Sequence, residues 1–440
     1  MIGDGDRWRM LADRVDSRLG RRIALVLLSL IFLSLGASTV YRASPWASKH
    51  RTDFTVYTAA GQAVVQGTPL YEAQNQRGWL YMYLPIFAIA MVPLSFFPDY
   101  IAAGIWYVIS VAMLVHMLWL SAAMARRFWP TANWSVFWLA VWTFGAIFWP
   151  TISGIARGQA SVLLAWFVTL TIWAWFEKRP WLSGFALAGA IVVKVFPVLF
   201  IIYFAFKRQW MLLLTTFIWL IAMVFVFPSA VFGVKGNLQL LDTWVHDVVM
   251  DANRPDVSED EERYDQMANP RLERNQSVQA VAIRFIAPDD ERADETGAEN
   301  LAEWVGRAIC AVLGIATAIA CWPGRASRSD RATLVQLSLV IMLMLFASPV
   351  SWSHSFAMMA LPIAVLLALA STTSAPGWRR FAIVFGAYVV FGILGSVVLE
   401  LRIYGVLMWT TLAVYLVLWP IARQASEQKG PQRAPIAQTV

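Results

Sequence analysis

Asp53 is a carboxylate at the head of the stretch DFTVYTAAGQAVVQGTPLY, just after the first long apolar run. A compact group that is ionised at neutral pH can take a proton from a hydroxyl within hydrogen-bond range, the work of a general base. A second reading fits the same position: an aspartate that starts a helix, favoured there by backbone N–H groups and the helix dipole. His354 closes SPVSWSH at the edge of another apolar run, where Pro349, Trp352 and Ser353 order a turn. It is either a hydrogen-bonded structural group or a neighbour of the acid, able to orient it, meet an anion or bond a hydroxyl.

Cations, amides and phenols supply the remaining candidates. Lys194 interrupts the apolar run LAGAIVVKVFPVLF. A charge within a span costs roughly 2.5–3.5 kcal/mol on insertion scales, so it normally faces a partner or a cavity. Two readings follow: snorkelling to an interface, with Pro197 breaking the helix locally, or a counter-charge for a lipid phosphate. Arg157, in GIARGQASVLL between Gly154 and Gly158, poses the same choice between interface anchor and site residue. Asn275, Gln276 and Ser277 precede an amphipathic stretch that holds Arg284. They fit a helix cap or, with Arg284 gripping a phosphate bidentately, a polar ligand site. Tyr81 and Tyr83, in YMYLP, fit interface aromatics or rings that stack on a sugar.

What must position these residues is a membrane-spanning chain. Its 440 residues are 59% hydrophobic and only 14% charged, with a mean hydropathy of +0.57. A soluble protein of this length could not hide that much apolar surface, whereas a bilayer solvates it. The 23 Trp and 12 Tyr suit a chain with two interfaces to anchor. The net charge of +7 does not point to nucleic acid, because basic residues gather at the ends of apolar runs. There they orient spans and meet anionic lipid of the bilayer.

Apolar runs predict an all-α polytopic protein of about twelve spans, near 23–41, 84–98, 101–123, 134–150, 160–176, 181–205, 211–232, 303–322, 333–350, 355–371, 381–399 and 403–421. Two long loops interrupt them, at 42–83 and 233–302. Residues 1–22 form an arginine-rich N-terminal segment, 23–421 the membrane domain and 422–440 a tail. Lys207/Arg208, Arg325/Arg328/Arg331, Arg379/Arg380 and Arg423/Lys429 fall on one side, taken as cytoplasmic, which puts both long loops and His354 outside. Simple alternation leaves Arg126/Arg127 and Lys178/Arg179 outside, against the positive-inside tendency. Segments 84–98 and 181–205 carry Pro85, Pro93, Lys194 and Pro197, so a broken or re-entrant path competes with a plain span in both.

The first loop predicts a short amphipathic helix at the interface, with Phe54, Tyr57, Gly61 and Val64 on one face and Gly67 and Pro69 at its end. The second is acidic from Asp247 to Asp265 and from Asp289 to Glu299. Between these flanks, Val278, Val281, Ala282 and Phe285 predict a helix docked on the membrane domain. Cys310 and Cys321 share one helix roughly 16 Å apart, beyond disulfide reach. Walker, HExxH, Gly-x-Ser-x-Gly and Cys/His metal motifs are all missing, and Asp53 and Glu72 are the only acids of the first loop. No internal repeat of the kind common in transporters is visible.

Taken in order, several of these stretches resemble glycosyltransferase family 87, polytopic enzymes of the GT-C superclass. The matching pieces are the Asp53 segment through Gly67 and Tyr71, YMYLP at 81–85, GQASVLL at 158–164, KVFPVLF at 194–200, Asn275-Gln276-Ser277 with Arg284, and SPVSW with His354. The chain departs from the family pattern at Arg157, where a small polar residue such as Asn often precedes Gly-Gln. The resemblance implies a GT-C-like fold and an inverting transferase that moves mannose, or arabinofuranose, from a polyprenyl-phosphate carrier to an envelope glycolipid or glycan. It implies Asp53 as base, His354 beside it, and no required metal or cofactor. The donor- and substrate-binding candidates are Lys194, Arg284, Asn275, Gln276, Gln159, Arg157, Tyr57 and Tyr83. The implied place is the cytoplasmic membrane with the site facing outward. A secondary transporter or lipid flippase is the competing reading, since broken spans and buried charges suit it as well. A non-catalytic assembly subunit is a third.

Overall fold

Long apolar runs leave a backbone in lipid one economical choice, helices that satisfy their own hydrogen bonds. The computed structural model describes residues 15–47, 52–250, 269–288, 297–322, 330–372 and 377–423. Among them, eight helices are long and apolar enough to cross a bilayer, or nine if a bent pair counts as one span. The first part of the chain runs through α1 (Arg18–Arg42), α2 (Phe54–Gln66), α3 (Pro85–Ser95), α4 (Asp99–Phe128), α5 (Val136–Ala146), α6 (Phe148–Ala156), α7 (Ser161–Phe176), α8 (Pro180–Val193) and α9 (Leu199–Phe206). It continues with α10 (Trp210–Ile221), α11 (Phe227–Thr243), α12 (Val278–Ile286), α13 (Ala298–Cys321), α14 (Asp330–Ala347), α15 (Ala360–Ala370), α16 (Trp378–Val397), α17 (Leu399–Ile403) and α18 (Val406–Arg423). The segment Ser353–Ala370, a 3-10 turn leading into α15, is buried along nearly its whole length and forms the core post. Sheet structure among the described residues is limited to two isolated bridges, Gln74 with Leu80 and Asn275 with Trp352.

The expected alternation of twelve spans is corrected in the two proline-bearing segments. Helix α3 has 11 residues, about 16 Å of rise, far short of the roughly 30 Å hydrocarbon layer. It packs along α2 instead of crossing, at an approach so close that a Cβ on Gly61 would lie 3.1 Å from the Met91 carbonyl oxygen. Helix α8 stops at Lys194, which is extended at φ −151° and ψ 139°, and α9 then turns back. Trp175 Nε1 donates to Gln209 Oε1 at 2.9 Å, so the chain leaves α7 and returns from α9 at one level.

These contacts sort the bundle into two ends. At one, Arg127 pairs with Glu177 at 2.7 Å and Lys207 donates to the Cys321 carbonyl at 2.9 Å. At the other, Thr58 bonds Asp99 at 3.1 Å and Asp53 bonds the Arg157 carbonyl at 2.8 Å. Arg126/Arg127, Lys178/Arg179 and Lys207/Arg208 therefore share the end opposite Asp53, and the conflict with the positive-inside tendency disappears. Arg157 sits at the Asp53 end. The α5–α6 pair, bent by 73°, carries it there.

Loop expectations meet mixed outcomes. Gly67 ends α2 at φ 69° as a left-handed cap. Helix α12 is buried through Val278, Val281 and Ala282, but Phe285 is 51% exposed and packs tilted against Tyr404 instead of joining the docked face. Most of the acidic flanks, together with Arg325, Arg328 and Lys429, lies outside the described residues. Cys310 and Cys321 are both free thiols on α13.

Candidate active site

Asp53 stands at the N-cap of α2, but the side chain that meets the first turn is that of Thr52. The Thr52 hydroxyl accepts the Phe54 N–H at 3.2 Å, while the Asp53 carboxylate makes no cap bond. Asp53 therefore starts the helix by position, Thr52 makes the side-chain bond, and the Asp53 carboxylate is left for the cavity. The Asp53 N–H and the Thr52 hydroxyl both donate to the Arg157 carbonyl, at 2.8 and 3.3 Å. Gly158 allows this approach: its φ is +70°, and a Cβ there would lie 2.5 Å from the Phe54 Cβ. Asn75 ties down the rest of the loop, donating to the Thr52 carbonyl at 3.2 Å and accepting the N–H groups of Arg77 and Trp79 at 2.9 and 3.2 Å.

The two carboxylate oxygens of Asp53 have different environments. Gln159 Nε2 donates to Oδ2. Oδ1 is buried and has no hydrogen-bond partner among the described residues. A buried acceptor left in that state carries a desolvation cost, which a hydroxyl arriving in the cavity would offset. Burial raises the Asp53 pKa from 3.8 to about 6, opposed by the Arg157 charge, the Gln159 hydrogen bond, and the charges of Arg77 and Arg274. That value suits a base working near neutrality.

His354 arrives by a separate route. The second loop lays residues 274–276 antiparallel to 351–353: Gln276 N–H donates to the Ser351 carbonyl at 2.8 Å, and Ser353 N–H to that of Arg274 at 2.9 Å. The 3-10 turn Ser353–Met359 then packs on α6 and α7, and a Cβ on Gly154 would come within 3.2 Å of the His354 Cβ. Lys194, Arg157 and Arg274 all act electrostatically on this imidazole.

These pieces surround one cavity of about 730 Å³. Asp53, Tyr57, Tyr83, Arg157, Gln159, Lys194 and His354, all singled out from sequence, line it together. Tyr57 and Tyr83 share a hydroxyl hydrogen bond of 3.2 Å with rings edge to face. Burial keeps both phenols protonated, pushing Tyr83 up to about 12. Val192, Val195, Phe196, Leu199 and Val248 add an apolar part to the lining.

Asn275, Gln276 and Arg284 are not among the lining residues. Asn275 accepts from Ser351 N–H and Ser277 N–H and donates to the Pro349 carbonyl. Gln276 bridges the carbonyls of Glu273 and Arg402 and accepts the Leu407 N–H. Arg284 donates to the carbonyls of Ile403, Pro270, Leu272 and Asn275. All three are committed to backbone behind the cavity. Tyr81 is fully buried, its hydroxyl on the Leu84 carbonyl at 2.9 Å, so the interface and stacking readings of Tyr81 are both corrected.

Sequence reasoning missed Glu273, Arg274 and Arg402, which line the cavity beside Trp79, Trp244 and Trp352. Arg274 stacks over Trp352 at 4.8 Å. Its one signal was adjacency to Asn275. Arg402, in the short link between two late apolar runs, had none. Among the described residues no group of three or more His, Cys, Asp or Glu is placed to share a metal ion.

An all-α polytopic membrane protein, with a buried acid and several cations lining one cavity, is the class that the fold and the site define. Glycosyltransferase family 87 matches residues 81–349, more than half of the chain, and the chain belongs to that family. It is a glycosyltransferase, and the transporter reading is not favoured. Asp53 and His354 both lie outside the matched residues, Asp53 before them and His354 shortly after. The chain is similar to the polyprenol-phosphate-mannose-dependent alpha-(1-2)-phosphatidylinositol mannoside mannosyltransferase of Mycobacterium tuberculosis (strain ATCC 25618 / H37Rv), 28% identical over 85% of this chain and 81% of the relative. The protein of the same description from Mycolicibacterium smegmatis is 26% identical over 78% of this chain and 74% of its own length. A polyprenol-phosphate-mannose-dependent alpha-(1-2)-phosphatidylinositol pentamannoside mannosyltransferase of Mycobacterium tuberculosis (strain CDC 1551 / Oshkosh) is 27% identical over 84% and 78%. No solved structure matches the chain.

Proposed function

We propose that this glycosyltransferase moves mannose from a polyprenyl-phosphate carrier to a glycolipid of the phosphatidylinositol mannoside class, with inversion at the anomeric carbon. The observation that carries the reading is the state of Asp53: buried, held through Oδ2 by Gln159, and unpartnered at Oδ1 beside a cationic cavity. The acceptor hydroxyl gives its proton to Asp53 while its oxygen attacks the anomeric carbon. The bond from that carbon to the phosphate oxygen breaks, and polyprenyl phosphate leaves already ionised. Arg157, Lys194 and Arg274 stabilise the charge that grows on the phosphate, His354 sits within their field, and no metal is required. The apolar wall from Val192 to Leu199 suits the first prenyl units. Arabinofuranose shares the lipid phosphate, so the choice of mannose rests on the relatives' descriptions.

The basic residues at the far end support a cytoplasmic side for that end, and with it a cavity that opens to the outside of the cytoplasmic membrane. Purified protein incubated with radiolabelled polyprenyl-phosphate-mannose and phosphatidylinositol mannosides, with and without EDTA, tests the reading. A product of anomeric configuration opposite to the donor's, formed equally in both, is expected. A retained configuration, or no transfer from any lipid-linked sugar, overturns it.

A further inference from the structure

The cavity has a second polar pole that the proposed mechanism does not use. Glu273 and Arg402 both line it, and their charged groups approach to 3.8 Å, a loose ion pair with about a third of each side chain exposed. Arg402 Nε is buried and donates to nothing among the described residues. The Glu273 carboxylate likewise makes no hydrogen bond among the described residues, although a carboxylate offers about four acceptor sites. Their backbones are nonetheless fixed, because Gln276 Nε2 donates to the Glu273 carbonyl at 2.6 Å and the Arg402 carbonyl at 2.7 Å. A rigidly mounted pair with unused donors and acceptors is the form of a preorganised binding site.

Charge decides what such a pair takes. Arg157, Lys194 and Arg274 are cations suited to a phosphate. Glu273 would repel a phosphate, while Arg402 balances its charge, so the pole as a whole is neutral. A carboxylate that accepts and a guanidinium that donates match the vicinal hydroxyls of an uncharged sugar ring. The pole also sits at the rim. Arg402 lies on α17, next to Leu399 and Tyr404, which are 46% and 54% exposed. Lys194, by contrast, is delivered by the α8–α9 hairpin from a different set of helices.

We propose that Glu273 and Arg402 form the recognition site for sugar hydroxyls of the acceptor, while another of its hydroxyls reacts at Asp53. The inference rests on the transferase reading and names the acceptor side of the same cavity. Steady-state kinetics of the full-length enzyme, with polyprenyl-phosphate-mannose and phosphatidylinositol mannosides varied separately, test it. Glu273→Gln and Arg402→Lys each raise the acceptor KM about tenfold or more and leave the donor KM within twofold. Unchanged acceptor KM in both, or a rise confined to the donor, overturns the proposal.

The pair could instead only tether α17 to the second loop, and the charge swap Glu273→Arg with Arg402→Glu separates the two roles. A recognition site stays defective in acceptor KM while thermal stability recovers; recovery of both shows a tether and overturns the proposal. If a single variant does not fold, the swap carries the comparison. Binding of the acceptor to wild type and swap, followed by tryptophan fluorescence without donor, reads the pole without turnover. Wild type that binds acceptor but transfers from no lipid-linked sugar refutes the transferase reading alone. Equal acceptor affinity of wild type and swap refutes the recognition pole alone.

Discussion

The Asp53 N–H donates to the Arg157 carbonyl at 2.8 Å, joining the first long loop to the turn after a bent helix pair more than a hundred residues later. This bond sets the acid against the Gly158–Gln159 turn, so one backbone contact fixes the register of the carboxylate, the amide that holds it and a neighbouring cation. It also settles which end of the bundle Arg157 occupies.

Asp53→Asn removes the proposed base while keeping the size of the side chain. Turnover of radiolabelled donor is expected to fall at least a thousandfold. Near-normal turnover would remove Asp53 from the mechanism. Stability is expected to move the other way. A carboxylate whose pKa rises from 3.8 to about 6 on folding disfavours its charged form by roughly 3 kcal/mol. The benefit of the neutral form is complete below the unfolded pKa and is lost as pH rises through 6. At pH 7.5 the variant should therefore melt above the wild type, by a few degrees, in detergent.

The same pKa gives the pH dependence of the rate. In the proposed mechanism only ionised Asp53 takes the proton, so kcat/KM should drop tenfold per pH unit below about 6 and level off above it. The Gln159 hydrogen bond lowers this pKa, and Gln159→Leu removes it. The acid limb of the pH profile should then shift upward. An unmoved limb would show that another group sets it.

Gly158→Ala tests the close approach. An alanine must adopt φ +70° and place its Cβ 2.5 Å from that of Phe54. Strain of this kind costs on the order of 1–3 kcal/mol, so a lower melting temperature and a loss of kcat larger than any change in donor KM are expected. Unchanged values of both would contradict the geometry of the turn.

Arg284→Ala separates scaffold from ligand contact. The guanidinium donates to four carbonyls behind the cavity, and stranding buried acceptors costs about 1–3 kcal/mol each at most. Reduced thermal stability with an unchanged donor KM is expected in the fraction that folds. A large rise in donor KM at normal stability would return Arg284 to the donor site.

Sidedness is tested by single cysteines at positions 77, 178 and 208 in a background without Cys310 and Cys321. Position 77 should react with an impermeant thiol reagent in intact spheroplasts, and 178 and 208 only after permeabilisation. Labelling of 178 from outside would restore simple alternation through 84–98 and 181–205.

The sequence by itself determined the helical membrane class, the family, and seven of the residues that line the cavity, because each depends on local or compositional facts. A run of apolar residues marks a helix in lipid wherever it lies, and a charge or acid inside such a chain stands out by its cost. Asp53, His354 and Lys194 were legible on that ground. Tertiary structure alone decided three other things. Whether α3 and the α8–α9 pair cross or turn back depends on their packing against neighbours, since prolines and a lysine permit both paths. Whether a polar residue faces the cavity or a carbonyl depends on which partner lies opposite, so Arg284 and Gln276 look like ligand contacts in sequence and serve as struts in space. Arg402 and Glu273 meet because the second loop folds over the link between α16 and α18, a juxtaposition of distant segments that no local pattern records.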